Sequence, residues 1–386
     1  MPDNAMTAEQ IVQYNAYARG RILREAVDTW QQIFTVNRDP STGNVFNVPF
    51  KNVGLIKGFL VQITGTIRNT DAAKTATLTE LGAANFLQQI IVSDFSNTTR
   101  IQTAGWHVHL INSAKQALVF GGAYSPNIPV KYGNNWTVQS AAATIAPTTD
   151  AAVSFFYYIP CAYSKDDLRG AIFASIVNST ASLTLTLNTA IMTDAGADAT
   201  LAAYGGSVGG WKASTNVTIT VYQNYLDQLP RDANGQYVLP PMDMNTIYEL
   251  KNTAYGTPVV GQDFGIQFAN YRTFLSCIAI YNNAGVLNVG SDINSFALQA
   301  ANTTQIFKYT PAVAALLARS TFYADPPKGV YYFDFRARPI NTQQFGNMQL
   351  SINPSAVTTG ASILVGFEDF SSVSQVQNAS SLPTAA

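Results

Sequence analysis

Ser182-Leu183-Thr184-Leu185-Thr186-Leu187 and Val217-Thr218-Ile219-Thr220-Val221-Tyr222 both alternate apolar with polar-tipped residues. Successive side chains of a strand point to opposite faces, so a period of two describes a β-strand with one face on a core. Runs of β-branched and aromatic residues bounded by Gly, Asn, Asp and Pro repeat this signal from Phe46 to about Leu229. They predict strands at 55–68, 86–94, 100–111, 130–139, 151–159, 182–188 and 215–225. Leu229-Pro230-Arg231-Asp232-Ala233-Asn234-Gly235-Gln236 combines Pro, Gly and charge and reads as a linker. A second set of strands follows at about 246–251, 262–268, 273–281, 303–308, 329–335, 347–353 and 361–369, with a short helix at 311–319. Two sets of short strands in similar-sized halves of 386 residues predict an all-β protein of two sandwiches or jelly rolls in tandem.

The N-terminal segment has a different period. Thr7 and Gln10 fit a capping box, and Ile11, Tyr14, Ala18, Ile22, Ala26, Trp30 and Ile33 recur at three- and four-residue spacing, which predicts one amphipathic helix from 8 to about 34. Arg19, Arg21 and Arg24 form a short basic belt beside that stripe. Such a helix could touch an anionic membrane surface, dock under a neighbouring subunit, or pack beneath its own domain. Ile11, Tyr14, Arg19, Arg21, Ile22, Arg24 and Trp30 would carry a membrane or neighbour contact. The expected division is a helical arm at 1–45, a first roll at 46–230, a second roll at 231–370, and a polar, mobile tail at 371–386.

Charged residues make up 12% of the chain, about half of the roughly 25% usual in soluble domains. Asn, Thr, Ser, Gln, Ala and Gly cover the surface instead. A net charge of -1 removes the self-repulsion that opposes packing many identical copies, and favours assembly. A secreted β-protein with a polar surface fits the composition equally. Clustered Lys and Arg, which a nucleic-acid backbone requires, do not occur after residue 24. The N-terminus has no pattern of an export signal, and no apolar run reaches the roughly 18 residues of a membrane span. Cys161 and Cys277 lie in apolar strand-like stretches and read as buried free thiols of a protein that matures in a reducing cell.

Chemistry is sparse. His107 and His109 are the only histidines; on a strand they would face one side and could present two imidazoles to a metal, but a third ligand must then come from Cys or a carboxylate elsewhere. Structural, hydrogen-bonded histidines are the plainer reading. No nucleophile elbow accompanies them. Asp166-Asp167 and Glu368-Asp369 read as solvated charges, since neighbours on a strand face opposite ways. Gly205-Gly206-Ser207-Val208-Gly209-Gly210 lacks the Lys-Ser/Thr ending of a phosphate loop and reads as a flexible surface loop. No catalytic, metal or cofactor site, and no enzyme, is expected. Of the four aromatics Phe155 to Tyr158, two should face a core and two an interface or a packed sheet. Trp136 and Trp211, in polar loops, would suit a rival reading as a carbohydrate- or receptor-binding jelly roll, lectin-like or a viral spike.

VGLIKGFLVQITGTI (53–67), GWHVHLINSAKQ (105–116), VKYG (130–133), AYSKDDLRGAI (162–172), YLDQLP (225–230), NAGVLNVGSDIN (283–294) and PKGVYYFDFRARPINTQQFGNMQLSINPS (327–355) run in order through the chain after residue 45. These segments resemble the major capsid proteins of tectivirus-type bacteriophages, tailless viruses with a membrane inside an icosahedral shell. The resemblance implies two tandem eight-stranded jelly rolls per chain, a double jelly roll, standing upright, with three chains forming a pseudo-hexagonal capsomer. It implies as partners the chain itself, neighbouring capsomers, minor capsid and vertex proteins, and the internal membrane through the N-terminal arm. The protein would be made in the host cytoplasm and reside in the virion capsid. His107 and His109 fall inside a family-like segment, which favours their structural reading.

Overall fold

The computed structural model describes residues 7–120, 130–132, 135–140, 143–175, 180–196, 199–256, 258–287, 290–300, 304–322 and 326–372, with backbone alone at 83, 116–120, 130–132 and 135–140. Thr7 caps helix α1 (Ala8–Glu25): its hydroxyl accepts from the Gln10 amide while the Gln10 side chain accepts from the Thr7 amide. The helix stops at Glu25, nine residues short of the expectation at 34, and residues 27–38 form a strand. Val27, Thr29, Ile33, Thr35 and Val36 are β-branched and suit extended backbone. A neighbouring strand at 217–227 supplies the backbone partners, and Ile33, Phe34 and Val36 pack on a core. The helical spacing of Trp30 and Ile33 is a coincidence of composition.

The first roll is built from β1 (Val27–Arg38), β2 (Val45–Pro49), β3 (Leu55–Asn69), β4 (Leu87–Ser93), β5 (Thr99–Thr103), β6 (Asp150–Pro160), β7 (Ser182–Leu187) and β8 (Val217–Asp227). One sheet runs β1-β8-β3-β6 and the other β2-β7-β4-β5. The second roll uses β9 (Thr246–Tyr255), β10 (Phe264–Gln267), β11 (Thr273–Asn283), β12 (Ile293–Ala300), β13 (Thr304–Tyr309), β14 (Val330–Asp334), β15 (Met348–Pro354) and β16 (Ser362–Ser372). Its sheets run β9-β16-β11-β14 and β10-β15-β12-β13, the same order eight strands later. Leu250 and Lys251 of β9 pair in parallel with Ile101 and Gln102 of β5, so one sheet continues from roll to roll.

Two further expectations are corrected. The strand expected at 100–111 ends at Thr103, and helix α2 (Gly105–Phe120) follows. Its side chains from Trp106 to Lys115 are all buried, so no polar face exists to give a helical period. The stretch Gly205 to Gly210 is ordered: Ser207 is fully buried and donates to Asn69 Oδ1 at 2.6 Å. A Cβ on Gly205 would lie 2.0 Å from the Gly196 carbonyl, so close backbone approach requires glycine there. The segment expected as a linker at 229–236 does lie between β8 and β9, folded as a closed turn in which Arg231 donates to the Gly235 carbonyl and stacks over Tyr237.

Helix α3 (Pro241–Met244) leads into β9, and helix α4 (Pro311–Phe322), matching the short helix expected at 311–319, joins β13 to β14. Phe155 and Tyr157 enter the first core, Phe155 stacking on Phe86 at 4.2 Å, while Tyr158 lies against Trp30 and Phe156 is half-buried on the outer face. The second core, with Ile266, Phe274, Cys277, Phe296, Leu350 and Val365, fills the second roll.

Candidate functional site

The outer face of β9-β16-β11-β14 lies on α2, and this seam holds the two rolls together. Ile278, Ile280, Leu364, Val330 and Tyr332 share a core with Val108, Leu110 and Ile111 of the helix. Charge enters that apolar layer at one point. Lys115 Nζ lies 3.0 Å from Glu368 Oε1 and donates to Tyr248 Oη at 2.7 Å and to the Tyr163 carbonyl at 2.9 Å. The rings of Tyr163 and Tyr248 flank the ammonium, each 4.3 Å away. Glu368 also accepts from the hydroxyls of Tyr248 at 2.7 Å and Ser276 at 2.8 Å. Burial alone would raise the Glu368 carboxyl; the charges of Lys115 and Arg336 and the two hydroxyls reverse this and hold it below the usual range. Burial keeps the Lys115 ammonium below its ordinary value, with Glu368 opposing.

The neighbouring Asp369 points the other way on the strand. Arg272 bridges it, at 2.8 Å, to Glu249, which also receives Lys251 at 2.5 Å. Burial first, then the like charge of Glu249, push Asp369 up to about 7 despite Arg272. Glu368 and Asp369 are therefore buried, ion-paired groups rather than solvated charges. Asp167 does sit near the surface, paired with Arg169 at 2.5 Å. Sequence reasoning passed over Lys115, Glu249 and Arg272; a charged residue inside an apolar run, such as Lys115 after Ile111, was the signal available.

His107 and His109 are two apart on a helix, which separates them by about 200° around the axis and denies them a common metal. His107 Nδ1 pairs with Thr103 Oγ1 at 2.7 Å, and its ring lies against Gly366. Burial pushes His107 down to about 3, Glu368 opposing, and His109 down to about 4, so both are neutral imidazoles. No group of three or more His, Cys, Asp or Glu suited to a metal occurs among the described residues. Cys161 and Cys277 are free and buried, and burial pushes the Cys161 thiol up to about 12. Trp211 is no open sugar platform: its indole donates to the Asn188 carbonyl at 2.9 Å and packs on Phe86. The Trp136 side chain lies outside the described residues.

The proposed arm residues separate. Ile22 is fully buried against Leu55, Leu168, Leu226 and Leu229. Arg19 binds Asp243 of α3 at 2.5 and 2.6 Å, and Asn15 joins the same carboxylate at 3.1 Å. Arg21 pairs with Glu25, Arg24 donates to the Gly20 carbonyl, and Ile11 is half-buried. Tyr14 is exposed with Val12, Tyr17 and Leu23, whereas Trp30 stands on β1. A second exposed apolar set, Val313, Leu316 and Leu317, lies on α4.

A family model described as P3 major capsid protein N-terminal matches residues 2–229, and one described as P3 major capsid protein C-terminal matches residues 245–384. The chain belongs to the P3 major capsid protein family. Major capsid protein P3 of Enterobacteria phage PRD1 is 38% identical to it over 382 residues, 98% of this chain and 96% of the relative. The major capsid protein of Sulfolobus Turreted Icosahedral Virus matches in fold with a TM-score of 0.64 at 12% identity, covering 92% of this chain and 100% of that one. The PBCV-1 virus capsid protein matches with a TM-score of 0.55 at 11% identity over 89% and 93%. As a P3 capsid protein the chain is a double jelly-roll component of the virion shell.

Proposed function

We propose that this capsid protein acts as a homotrimer, six rolls forming a pseudo-hexagonal capsomer that tiles an icosahedral shell around an internal membrane, and that it catalyses no reaction. The carrying observation is the identical sheet order of the two rolls: three such chains present six similar units, so one gene product can occupy a hexagonal lattice. Low net charge, -1 over 386 residues, supports close packing of copies. The lectin-like alternative loses one of its two tryptophans, since Trp211 is half-buried and hydrogen-bonded.

Within that reading the arm is the helical segment through Glu25, the boundary expected at 45 moves to Val27 because β1 belongs to the first roll, which runs to 230, the second roll runs from 231 to Ser372, and the tail follows to 386. Residues 373–386 of that tail lie outside the described residues. The exposed Val12, Tyr14, Tyr17 and Leu23, with Arg21 and Arg24 near them, support an arm that meets the internal membrane or a neighbouring capsomer. Minor capsid and vertex proteins would bind at the lattice's special positions. Light scattering of the purified protein tests the trimer: about 125 kDa, three times the 41.6 kDa chain, is expected, and a stable monomer would overturn it.

A further inference from the structure

The likeness of the two rolls extends to single residues, because each repeats the other's irregularities. Pairing of β8 with β3 slips between Asn224 and Tyr225, and pairing of β16 with β11 slips at Glu368 and Asp369. Asn224 thus corresponds to Glu368, and through their partners Trp30 corresponds to Leu250 and Gln31 to Lys251. In the other sheets, β4 slips against β5 between Val92 and Ser93, and β12 slips against β13 between Leu298 and Gln299. That equates Ile101 with Phe307 and Gln102 with Lys308.

Within the chain, Leu250 and Lys251 pair in parallel with Ile101 and Gln102. The counterpart strands have one strand neighbour each: among the described residues β1 pairs with β8 and β13 with β12, so each ends a sheet, and Trp30 and Ile306 are exposed along these edges. An open edge strand is a template for another strand. Helix α4 repeats the pattern. It stands between β13 and β14 as α2 stands between β5 and β6. The second roll's outer face covers α2, whereas α4 leaves Val313, Leu316 and Leu317 exposed. The matching outer face of the first roll carries Leu60, Gln62, Phe156, Thr220 and Tyr222 at adjacent positions, none of them charged.

We infer that β13 of one copy pairs in parallel with β1 of the next, Phe307 opposite Trp30 and Lys308 opposite Gln31. The neighbour's first roll then covers α4, so the contact between copies repeats the seam within each. This rests on the homotrimer reading and supplies its interface. The two surfaces differ, so the contact is head-to-tail and must close into a ring.

The test is a Gln31→Cys/Lys308→Cys variant, oxidised and run on a non-reducing denaturing gel. Paired strands stand about 4.8 Å apart, inside the ~4.4–6.8 Å that a disulfide spans, and native Cys161 and Cys277 are buried. The double variant is expected to run as a three-chain species and each single variant as one chain. A single variant that cross-links to itself reveals a two-fold contact and overturns the pairing. Wild-type trimers with no cross-link in the double variant overturn the pairing but leave the trimer standing, whereas a wild-type monomer removes both. Amide exchange on the unmodified trimer gives a second reading: slow exchange along both edges is expected, and fast exchange at β1 and β13 would refute the pairing.

Discussion

The ammonium of Lys115 lies 3.0 Å from the carboxylate of Glu368, joining the helix beneath the first roll to the last strand of the second. Their side chains are only 7% and 0% exposed, so the pair acts with little screening. Removing one partner of a buried pair strands the other charge and costs about 3–5 kcal/mol, whereas replacing both with apolar groups is often near neutral. Glu368→Ala is expected to destabilise the chain by that amount, and Lys115→Met/Glu368→Leu to recover most of it. Guanidinium unfolding checks this; a double variant no more stable than the single would place the cost in packing instead.

His107 and His109, held at about 3 and about 4, make the chain acid-sensitive. Above the ordinary value of 6.5 both states carry neutral imidazole. As pH falls below it the unfolded chain takes up protons that the folded chain refuses, so stability is lost from there down to the folded values. Asp369, pushed up to about 7, has the opposite sign: between that value and the ordinary carboxylate value of 3.8 the folded chain holds a proton that the unfolded chain releases. A wild-type melting curve sums these effects, but His107→Gln isolates one. The variant is expected to gain about 2 kcal/mol relative to wild type between pH 7 and pH 5. Parallel thermal-melt profiles for the two proteins would refute the assignment.

The half-buried strands were legible because water on one face imposes alternation: Leu183, Leu185 and Leu187 face the core while Thr184 and Thr186 do not. Helix α2 was not legible, since a helix covered on all sides has no polar stripe, and Trp106-His107-Val108-His109-Leu110 alternates by accident. Beyond Glu25 the three- and four-residue spacing continued while the β-branched residues of β1 already favoured a strand; pairing with β8 decided it. The seam's ion pairs join residues as distant as 115 and 368, and no local pattern reports such a partner.

Gly366 on β16 admits the His107 ring, and the corresponding residue of the first roll is Tyr222. A Cβ at 366 would meet His107 Cδ2 at 2.4 Å and Nε2 at 2.6 Å. Overpacking of this kind costs typically about 1–3 kcal/mol. Gly366→Ala is expected to lower stability by that amount, and His107→Ala to relieve part of the loss in the double variant. A double-variant cycle with no coupling between the positions would show that the seam relaxes around the methyl group.

Helix α1 and strand β1 adjoin in sequence but carry different duties, and truncation separates them. Deleting residues 1–25 strips Arg19 and Asn15 from Asp243, whose side chain is 1% exposed, and uncovers Leu55 and Leu226. Stability should fall, yet both sheet edges remain, so trimers are expected to form while assembly into shells is impaired. Deleting residues 1–38 also removes β1, bares β8 and eliminates the edge that would receive β13; trimers should then fail to form. Light scattering reports the trimer and electron microscopy the shells. Loss of trimers in the shorter deletion would assign the trimer contact to α1, because β1 is intact there and only the helix is gone.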